Sequence, residues 1–341
     1  MNIIDEIEVV NFRCHDKYSL KLNNQTTLIT GQNGSGKTSL IEALYISLRG
    51  KSFKSTDENI IKKNRDFYRI NTLFNDGKKR VVNYKKDIGK KEFIIDDKKT
   101  LRIPQKCKYP IVLFEPGNLN LIHSSPSRRR DFLDNLISQI DLSFSKALTR
   151  YDKALKQRNN LLKEDYFGPD KMFPWNIIIA KYGSEIIFKR KYYIDQINQF
   201  VTNIYKSIAD NSDHIDLHYE SVLYDESKFM KELEKSFEKD RILGFTSVGP
   251  HRDDVIFNFN GKLATTTASR GEIRSIVLAL KFIEADIIRN HLNINPVVLL
   301  DDIFSELDET RQYHLSTNFK DHQVIITSVS KPVGIINNIQ L

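Results

Sequence analysis

The stretch Gly31-Gln32-Asn33-Gly34-Ser35-Gly36-Lys37-Thr38 fits the pattern GxxxxGK[ST]. It follows a short apolar run, Thr26-Thr27-Leu28-Ile29-Thr30, that reads as a strand. After it, Leu40, Ile41, Leu44, Tyr45 and Leu48 fall at helical spacing, so Thr38 to Leu48 reads as a helix. Strand, glycine loop and helix in that order are the context that gives the pattern its meaning. The glycines let backbone N–H groups approach phosphate oxygens, and the helix turns its positive end toward the same point. Gly31 to Thr38, with Ser39 behind them, are therefore the first candidates for binding a nucleoside triphosphate. Lys37 would reach the β- and γ-phosphates and the Thr38 hydroxyl would bind Mg²⁺.

Two further segments near the other end of the chain belong to the same chemistry. Val297-Val298-Leu299-Leu300 reads as a buried strand and closes in Asp301-Asp302. Asp301 suits the Mg²⁺ shell. Asp302, one residue on, could orient or deprotonate an attacking water. Ser269-Arg270-Gly271-Glu272-Ile273-Arg274 opens an amphipathic helix whose Ile273, Ile276, Val277, Leu280, Ile283 and Ile287 form the apolar stripe. Ser269 and Glu272 match a capping box, which by itself accounts for them. The same helix end could also receive an anion at Ser269 and the Gly271 N–H. The residues alone leave both readings open.

The chain has 341 residues, 40% of them apolar, enough for a sizeable core in one large domain or two smaller ones. Net charge is +8, and its placement is uneven. Residues 1–140 carry 26 Lys+Arg against 16 Asp+Glu, 141–241 balance at 17 and 17, and 242–341 carry 9 against 11. Residues 49–108 alone hold 19 basic and 8 acidic groups. Such an excess suits a polyanion, whose phosphates can be neutralised without reading sequence; a solvated lysine-rich surface has the same composition. Two cysteines, Cys14 and Cys107, provide neither a disulfide framework nor metal spacing, so a reducing cytosol is expected. No apolar run approaches the ~18 residues of a membrane span. The first residues, Met1-Asn2-Ile3-Ile4-Asp5-Glu6, lack a secretory pattern.

Along the chain, residues 3–12 alternate as a strand, and strands dominate from about 67 to 115, with Asp96-Asp97 as a hairpin tip. Character changes at Pro126, where Ser125 is placed to cap a helix. Helical patterns then continue to about 240, broken at Gly168-Pro169 and around 211–221, without a sustained heptad. Beyond Gly249-Pro250 come a strand over 255–259, the turn Asn260-Gly261, a strand over 262–265 and the helix from about 270 to 289. A helix over 309–319 and a strand over 323–327 finish the pattern. The expected fold class is α/β: a P-loop head over 1–124 and 245–341, with a mixed sheet and an antiparallel β subdomain, and a helical insertion over 125–244. Arg128, Arg129 and Arg130 oppose the helix macrodipole in the first turn of a helix, with Asp131 and Asp134 as local compensation or an acidic partner as the alternative. His251 has no ligand spacing to another His or Cys and reads as structural.

Taken together, these residues resemble the RecF family of bacterial recombination and repair ATPases. The likeness covers nearly the whole chain. It runs through Asn11-Phe12-Arg13, the glycine loop with Ser39 to Ala43, Gly50 to Phe53, and Phe114-Glu115-Pro116 with Leu119 and Leu121. Pro126, Arg128 to Asp134, Tyr151, Ala154-Leu155 and Gln157-Arg158-Asn159 continue it. Gly249 to Asp254, the Ser269 segment and Leu300 to Asp308 complete it, and GPHRDD with LLDDxFSELD is a specific combination. The resemblance implies an ABC-type head related to those of chromosome-maintenance ATPases, with a helical lobe in place of their long coiled coils. It implies a cytoplasmic, slow, DNA-stimulated ATPase that uses ATP and Mg²⁺ and forms an ATP-dependent homodimer. In that dimer Ser269, Gly271 and Arg274 of one subunit would close on ATP held by Lys37 of the other, and Ser305, Glu306, Leu307 and Asp308 would form a subunit-crossing loop. Arg13 becomes a candidate phosphate contact. The implied partners are double-stranded DNA and junctions of single- and double-stranded DNA, RecR and RecO, and RecA indirectly, in gap repair, replication restart and the SOS response. The basic 49–108 region becomes the DNA face.

The chain departs from the family pattern at Arg270 and Glu272, where glutamines usually flank the signature glycine. A fixed charge at Glu272 weakens phosphate binding there unless it folds back onto the cap. A transporter subunit would show Leu-Ser-Gly-Gly-Gln and a switch histidine, where this chain has Ala268-Ser269-Arg270-Gly271 and Thr327-Ser328. A scaffold that binds ATP without hydrolysing it is the other reading.

Overall fold

The structure, a computed structural model, describes residues 4–164, 169–221, 223, 225–329 and 338–341; Ile3 of the first expected strand and Gly168 of the expected helix break lie outside them. The chain forms two packing units, Met1–Leu119 with Glu284–Leu341, and Asn120–Ile283. The second takes in 245–283, which the sequence reading assigns to the head. The helix across 270–292 runs unbroken through the division at 283/284.

The first unit begins with β1 (Ile4–Phe12), β2 (His15–Lys21) and β3 (Thr26–Thr30), then α1 (Lys37–Arg49). Next come β4 (Phe67–Phe74), β5 (Lys79–Lys85), β6 (Lys90–Ile95), β7 (Lys98–Thr100) and β8 (Ile111–Phe114). Six strands form an antiparallel sheet in the order β2-β1-β4-β5-β6-β7. Their period-2 alternation is seen in β5, where Arg80, Val82 and Tyr84 point into the core and the residues between them do not. Asp96 and Asp97 both have φ near +50 to +60° (48° and 62°), the backbone of the tight hairpin turn expected there. Helix α1 is buried nearly all round, including Glu42 and Ser47, because both faces are covered.

The second unit holds α2 (Pro126–Ile140), α3 (Leu142–Leu161), α4 (Phe173–Asn198), α5 (Val201–Ala209), β9 (Ile215–Glu220), α6 (Glu226–Lys235) and α7 (Phe237–Leu243). It continues with β10 (Asp254–Phe259), β11 (Lys262–Leu263), α8 (Ala264–Thr267) and the first part, to Ile283, of α9 (Arg270–Leu292). Ser125 sits at the cap position of α2 with Pro126 in the first turn, but its side chain makes no capping bond. Two sequence expectations change here. The break at 211–221 contains β9, which pairs antiparallel with β10 from Asp254↔Glu220 to Phe259↔Ile215. The strand expected over 262–265 stops at Leu263, since residues 264–267 turn into a helix whose Thr266 and Thr267 hydroxyls donate to the Leu263 carbonyl.

This unit is tied together by buried charge. Fully buried Arg158 donates to Asp240 Oδ2 (2.7 Å), Asn176 Oδ1 (2.8 Å) and Thr246 Oγ1 (2.7 Å). Arg190 makes a two-pronged pair with Asp134 (2.7 Å each) and donates to the Pro250 carbonyl (2.6 Å). Arg129 grips Asp254 in the same way (2.8 and 2.6 Å), and Arg130 donates to the Asp253 carbonyl (2.5 Å). Two of the three arginines at the start of α2 thus tether it to the segment before β10. Losing one member of such a buried pair strands the other, at a cost of about 3–5 kcal/mol. His251 lies between Tyr151 OH (Nδ1, 2.6 Å) and the Thr246 carbonyl (Nε2, 3.0 Å). Gly249 has φ 126°, and a Cβ there would stand 2.6 Å from Tyr151 OH, so both backbone and space demand glycine.

The chain then returns to the first unit with β12 (Val297–Asp301), α10 (Glu309–Asn318), β13 (Val324–Ser328) and β14 (Asn338–Gln340). These strands join β3 and β8 in a five-stranded parallel sheet, β14-β3-β13-β12-β8. Every residue of β12 and β13 is buried, as expected of central parallel strands. Helix α1 packs against β1, β4 and β5 on one side and β12 and β13 on the other, so the core runs from sheet to helix to sheet.

Candidate nucleotide-binding site

Strands β3, β12 and β13 are parallel neighbours, so their C-terminal ends point the same way. Open α/β sheets bind ligands at that edge. β13 lies between the other two, with Thr327 facing Asp301 on one side and Ile29 on the other. This register brings two segments about 260 residues apart in sequence together: Thr38 Oγ1 donates to Asp301 Oδ1 at 2.7 Å. Thr327 Oγ1 donates to the same oxygen at 2.9 Å. Lys54 Nζ stands 3.9 Å from Asp301 Oδ2.

The glycine loop starts α1 with Gly36 at φ 99°. A Cβ on Gly36 would lie 2.4 Å from His15 Nε2 and 2.5 Å from Cys14 Sγ, so the turn between β1 and β2 packs directly on the loop. His15 Nε2 is 3.2 Å from the Gly36 carbonyl. Lys37 is buried and donates to the carbonyls of Gly31 (2.7 Å) and Gln32 (2.9 Å). Gln32, Asn33 and Gly34 are exposed, while Ser35 Oγ is buried without a partner among the described residues. A cleft of about 550 Å³ opens here, lined by Arg13, Cys14, Asn33, Gly34, Gly36, Lys37, Thr38, Ser39, Asn59, Ile61 and Asp302. Of the residues expected from sequence, the loop, Ser39, Arg13, Asp301 and Asp302 are therefore gathered at one place.

Asp302 has φ 52°, a left-handed backbone that costs a non-glycine residue about 1–3 kcal/mol. Its N–H is shared between the Thr327 carbonyl (3.1 Å) and Thr327 Oγ1 (3.0 Å). Its Oδ1 is buried and makes no hydrogen bond among the described residues. Burial pushes the carboxyl above its ordinary value, Asp301 and Glu306 push the same way, and Lys37 opposes them. Arg13 lines the cleft, but its guanidinium is engaged: Nε and Nη2 hold Glu42 (2.9 Å each), Nη1 donates to the Asn59 carbonyl (2.8 Å) and Nη2 to Ser55 Oγ (2.5 Å). Glu42 also accepts from Ser52 Oγ (2.5 Å). Arg13 thus fastens the 52–59 segment to α1. Ser305 Oγ donates to the Asp302 carbonyl (2.8 Å), Gln312 holds the Phe304 and Leu307 carbonyls (2.9 Å each), and Asp308 caps α10 through the Arg311 N–H (2.9 Å).

In the second unit, Ser269 and Glu272 form a reciprocal capping box. The Ser269 N–H donates to Glu272 Oε2 (2.6 Å) and the Glu272 N–H to Ser269 Oγ (3.3 Å). Ser269 and Arg270 are exposed; Gly271, Glu272 and Arg274 are half-buried. Glu272 therefore folds onto the cap, as its sequence position required if its charge was to be accommodated.

Sequence reasoning missed Thr327, Glu42 and Lys54. Thr327 and Glu42 carried a weak signal, each being a polar residue inside an otherwise apolar run; Lys54 carried none. The basic segment resolves into particular groups. At one end of the antiparallel sheet, Phe67 pairs with Lys85, Lys85 with Lys90, and Phe12 bridges Ile61. Lys63, Lys85, Lys86 and Lys90 are exposed there without an acidic partner among the described residues, whereas Lys62 and Arg65 are paired with Asp16. That end borders the cleft through Asn59 and Ile61. No helix among the described residues is long and apolar enough to cross a membrane.

Residues 3–336 match the family model of the RecF/RecN/SMC N terminal domain. A protein of Agathobacter rectalis named DNA replication and repair protein RecF is 34% identical over 346 residues, covering 99% of this chain and 95% of that protein. One of the same name from Clostridium perfringens is 34% identical, covering 95% and 92%. Among solved structures, the recombination mediator protein RecF with ATP in the RecFOR pathway has a TM-score of 0.88 at 30% identity, covering 97% of this chain and 93% of that one. The Smc head domain of Pyrococcus furiosus, at 18% identity and a TM-score of 0.55, shares the fold of ABC-type ATPase heads.

Proposed function

The chain is a member of the RecF family, and we propose on that premise that it is an ATP-driven, DNA-binding switch of recombinational gap repair and replication restart, acting in the cytoplasm. The observation that carries this reading is the convergence of Lys37, Thr38, Asp301 and Asp302, from opposite ends of the chain, on one cleft. The glycine-loop N–H groups and Lys37 would hold the β- and γ-phosphates, Lys37 exchanging its contacts to the Gly31 and Gln32 carbonyls for phosphate oxygens. Thr38 Oγ1 and Asp301 Oδ1, hard oxygens already 2.7 Å apart, fit a Mg²⁺ ion. When bound, that ion would neutralise charge on the β- and γ-phosphate oxygens. Asp302, with an unsatisfied carboxylate oxygen and a raised pKa, is the group to orient or deprotonate the attacking water.

The functional head is proposed to span 1–124 and 245–341, because the helix opened by Ser269 runs on to 292, and the insertion 125–244 to form the helical lobe. Ser269, Gly271 and Arg274 of one subunit would close on ATP held by a second copy, with Ser305 to Asp308 crossing between subunits. The proposed partners are duplex DNA and single-strand junctions, RecO and RecR, with RecA served indirectly. Slow hydrolysis stimulated by DNA suits a switch whose γ-phosphate contact must displace Glu272. A scaffold that binds ATP without hydrolysis is the second reading, favoured by that same carboxylate on the cap. Sedimentation with ATP, ADP or no nucleotide, each with and without gapped DNA, tests the switch: dimers with ATP alone are expected, and monomers under all conditions would overturn it. Single-turnover hydrolysis with and without duplex DNA separates the switch from the scaffold.

A further inference from the structure

We propose that Thr327, fully buried at the end of β13, is the positioning residue that sets both carboxylates of the site. The inference rests on the ATPase reading above. One hydroxyl serves both aspartates: it donates to Asp301 Oδ1 (2.9 Å), with the Leu300 carbonyl a longer second acceptor (3.4 Å), and accepts from the Asp302 N–H (3.0 Å). The first bond leaves Asp301 with one oxygen fixed between Thr38 and Thr327, so the carboxylate cannot rotate freely. The second helps hold Asp302 in its left-handed backbone (φ 52°), which turns its side chain into the cleft and away from the path of an ordinary strand end. A serine or threonine is the smallest side chain that can donate and accept at once. β13 reaches both aspartates because it lies between the strand feeding the glycine loop and the one ending in Asp301. Thr327 has no exposed surface, so its effect on the reaction passes through the two aspartates.

Thr327→Val keeps shape and β-branching while removing both hydrogen bonds. Partners that orient metal-binding carboxylates typically contribute about 10–100-fold in metal affinity or activity when removed. The expected result is a hydrolysis rate about 10–100-fold lower and a higher Mg²⁺ concentration for half-maximal tightening of fluorescent-ATP binding. Nucleotide binding in EDTA should be unchanged, since Thr327 makes no hydrogen bond to the glycine loop or Lys37 among the described residues. Thr327→Ser, which restores the hydroxyl, should stay close to wild type in both readouts. Wild-type rate and Mg²⁺ demand in Thr327→Val would overturn the proposal. So would a Thr327→Ser variant as impaired as Thr327→Val, which would assign the role to methyl packing, or an equal loss of binding in EDTA, which would mean general damage. If Thr327→Val does not fold, Thr327→Ala repeats the comparison under the same criteria. Failure of the ATPase reading itself is distinguishable: wild-type protein would then show no Mg²⁺-dependent nucleotide binding.

Discussion

At the scale of single residues, Lys37 illustrates how a charge is kept ready. It is buried, which an ammonium tolerates when it is hydrogen-bonded, and here the carbonyls of Gly31 and Gln32 accept from it. Lys37→Arg should abolish hydrolysis, because a planar guanidinium cannot occupy the same point and its donors have a different geometry. Some ATP binding should survive through the loop N–H groups. The check is filter binding beside single-turnover hydrolysis, and normal turnover in the variant would refute the phosphate assignment. His251 is a different case. Burial depresses its pKa to about 4, against an ordinary value near 6.5. Because the folded form binds the proton less well than the unfolded chain, His251 favours folding above about pH 6.5, and that contribution is lost as pH falls from about 6.5 through about 4. The linkage corresponds to about 3 kcal/mol across that window. His251→Asn should flatten the fall in stability between pH 6.5 and 4, measured by urea unfolding at each pH; an unchanged slope would remove the buried neutral imidazole from the account.

At the scale of elements, the tip of α9 and the end of β10 teach opposite lessons about motifs. GPHRDD is half of the specific combination and Tyr151 and Asn159 belong to the same resemblance, yet the structure uses them for internal binding. Pro250 receives Arg190, His251 meets Tyr151, Asp254 is held by Arg129, and Asn159 Oδ1 accepts from both N–H and hydroxyl of Thr246 (2.8 and 2.7 Å). The tip of α9, by contrast, exposes Ser269 and Arg270 while Glu272 satisfies the Ser269 N–H. Ser269→Arg should leave ATP binding by the monomer intact and block ATP-dependent dimerisation on gel filtration. Dimers formed by that variant would count against a site shared between subunits. Loss of ATP binding would instead point to damage within one copy.

At the scale of the whole molecule, basic charge is concentrated in one segment. Residues 49–108 hold 19 basic and 8 acidic groups, an excess larger than the net charge of +8, and part of it ends as Lys63, Lys85, Lys86 and Lys90 at one end of the antiparallel sheet, beside Asn59 and Ile61 of the cleft. If these lysines meet phosphates, log affinity for duplex DNA falls linearly with log salt, and each neutralised phosphate adds roughly 0.9 to the slope. Changing all four to Gln should lower affinity and flatten the slope by about 3–4 without altering ATP binding. Fluorescence anisotropy across a salt series measures both; a slope equal to wild type would move the DNA face elsewhere.

The glycine loop, the strand before it, the helix after it and the paired aspartates are legible before any folding, because they depend on local periodicity and on residue types that few other roles require. So is the capping box at Ser269 and Glu272, which is written in four adjacent residues. Which distant groups share an atom, by contrast, is settled by the packing of the folded chain. That β13 lies between β3 and β12, that Thr327 therefore serves Asp301 and Asp302 together, and that Arg13 is committed to Glu42 are consequences of strand order and sheet packing. The strand β9 was hidden for the same reason: six residues gain their sheet identity from pairing with β10, about forty residues later in the chain. Local pattern fixes what a segment can form, but long-range hydrogen bonds fix whom it serves, and they have no period to be read from.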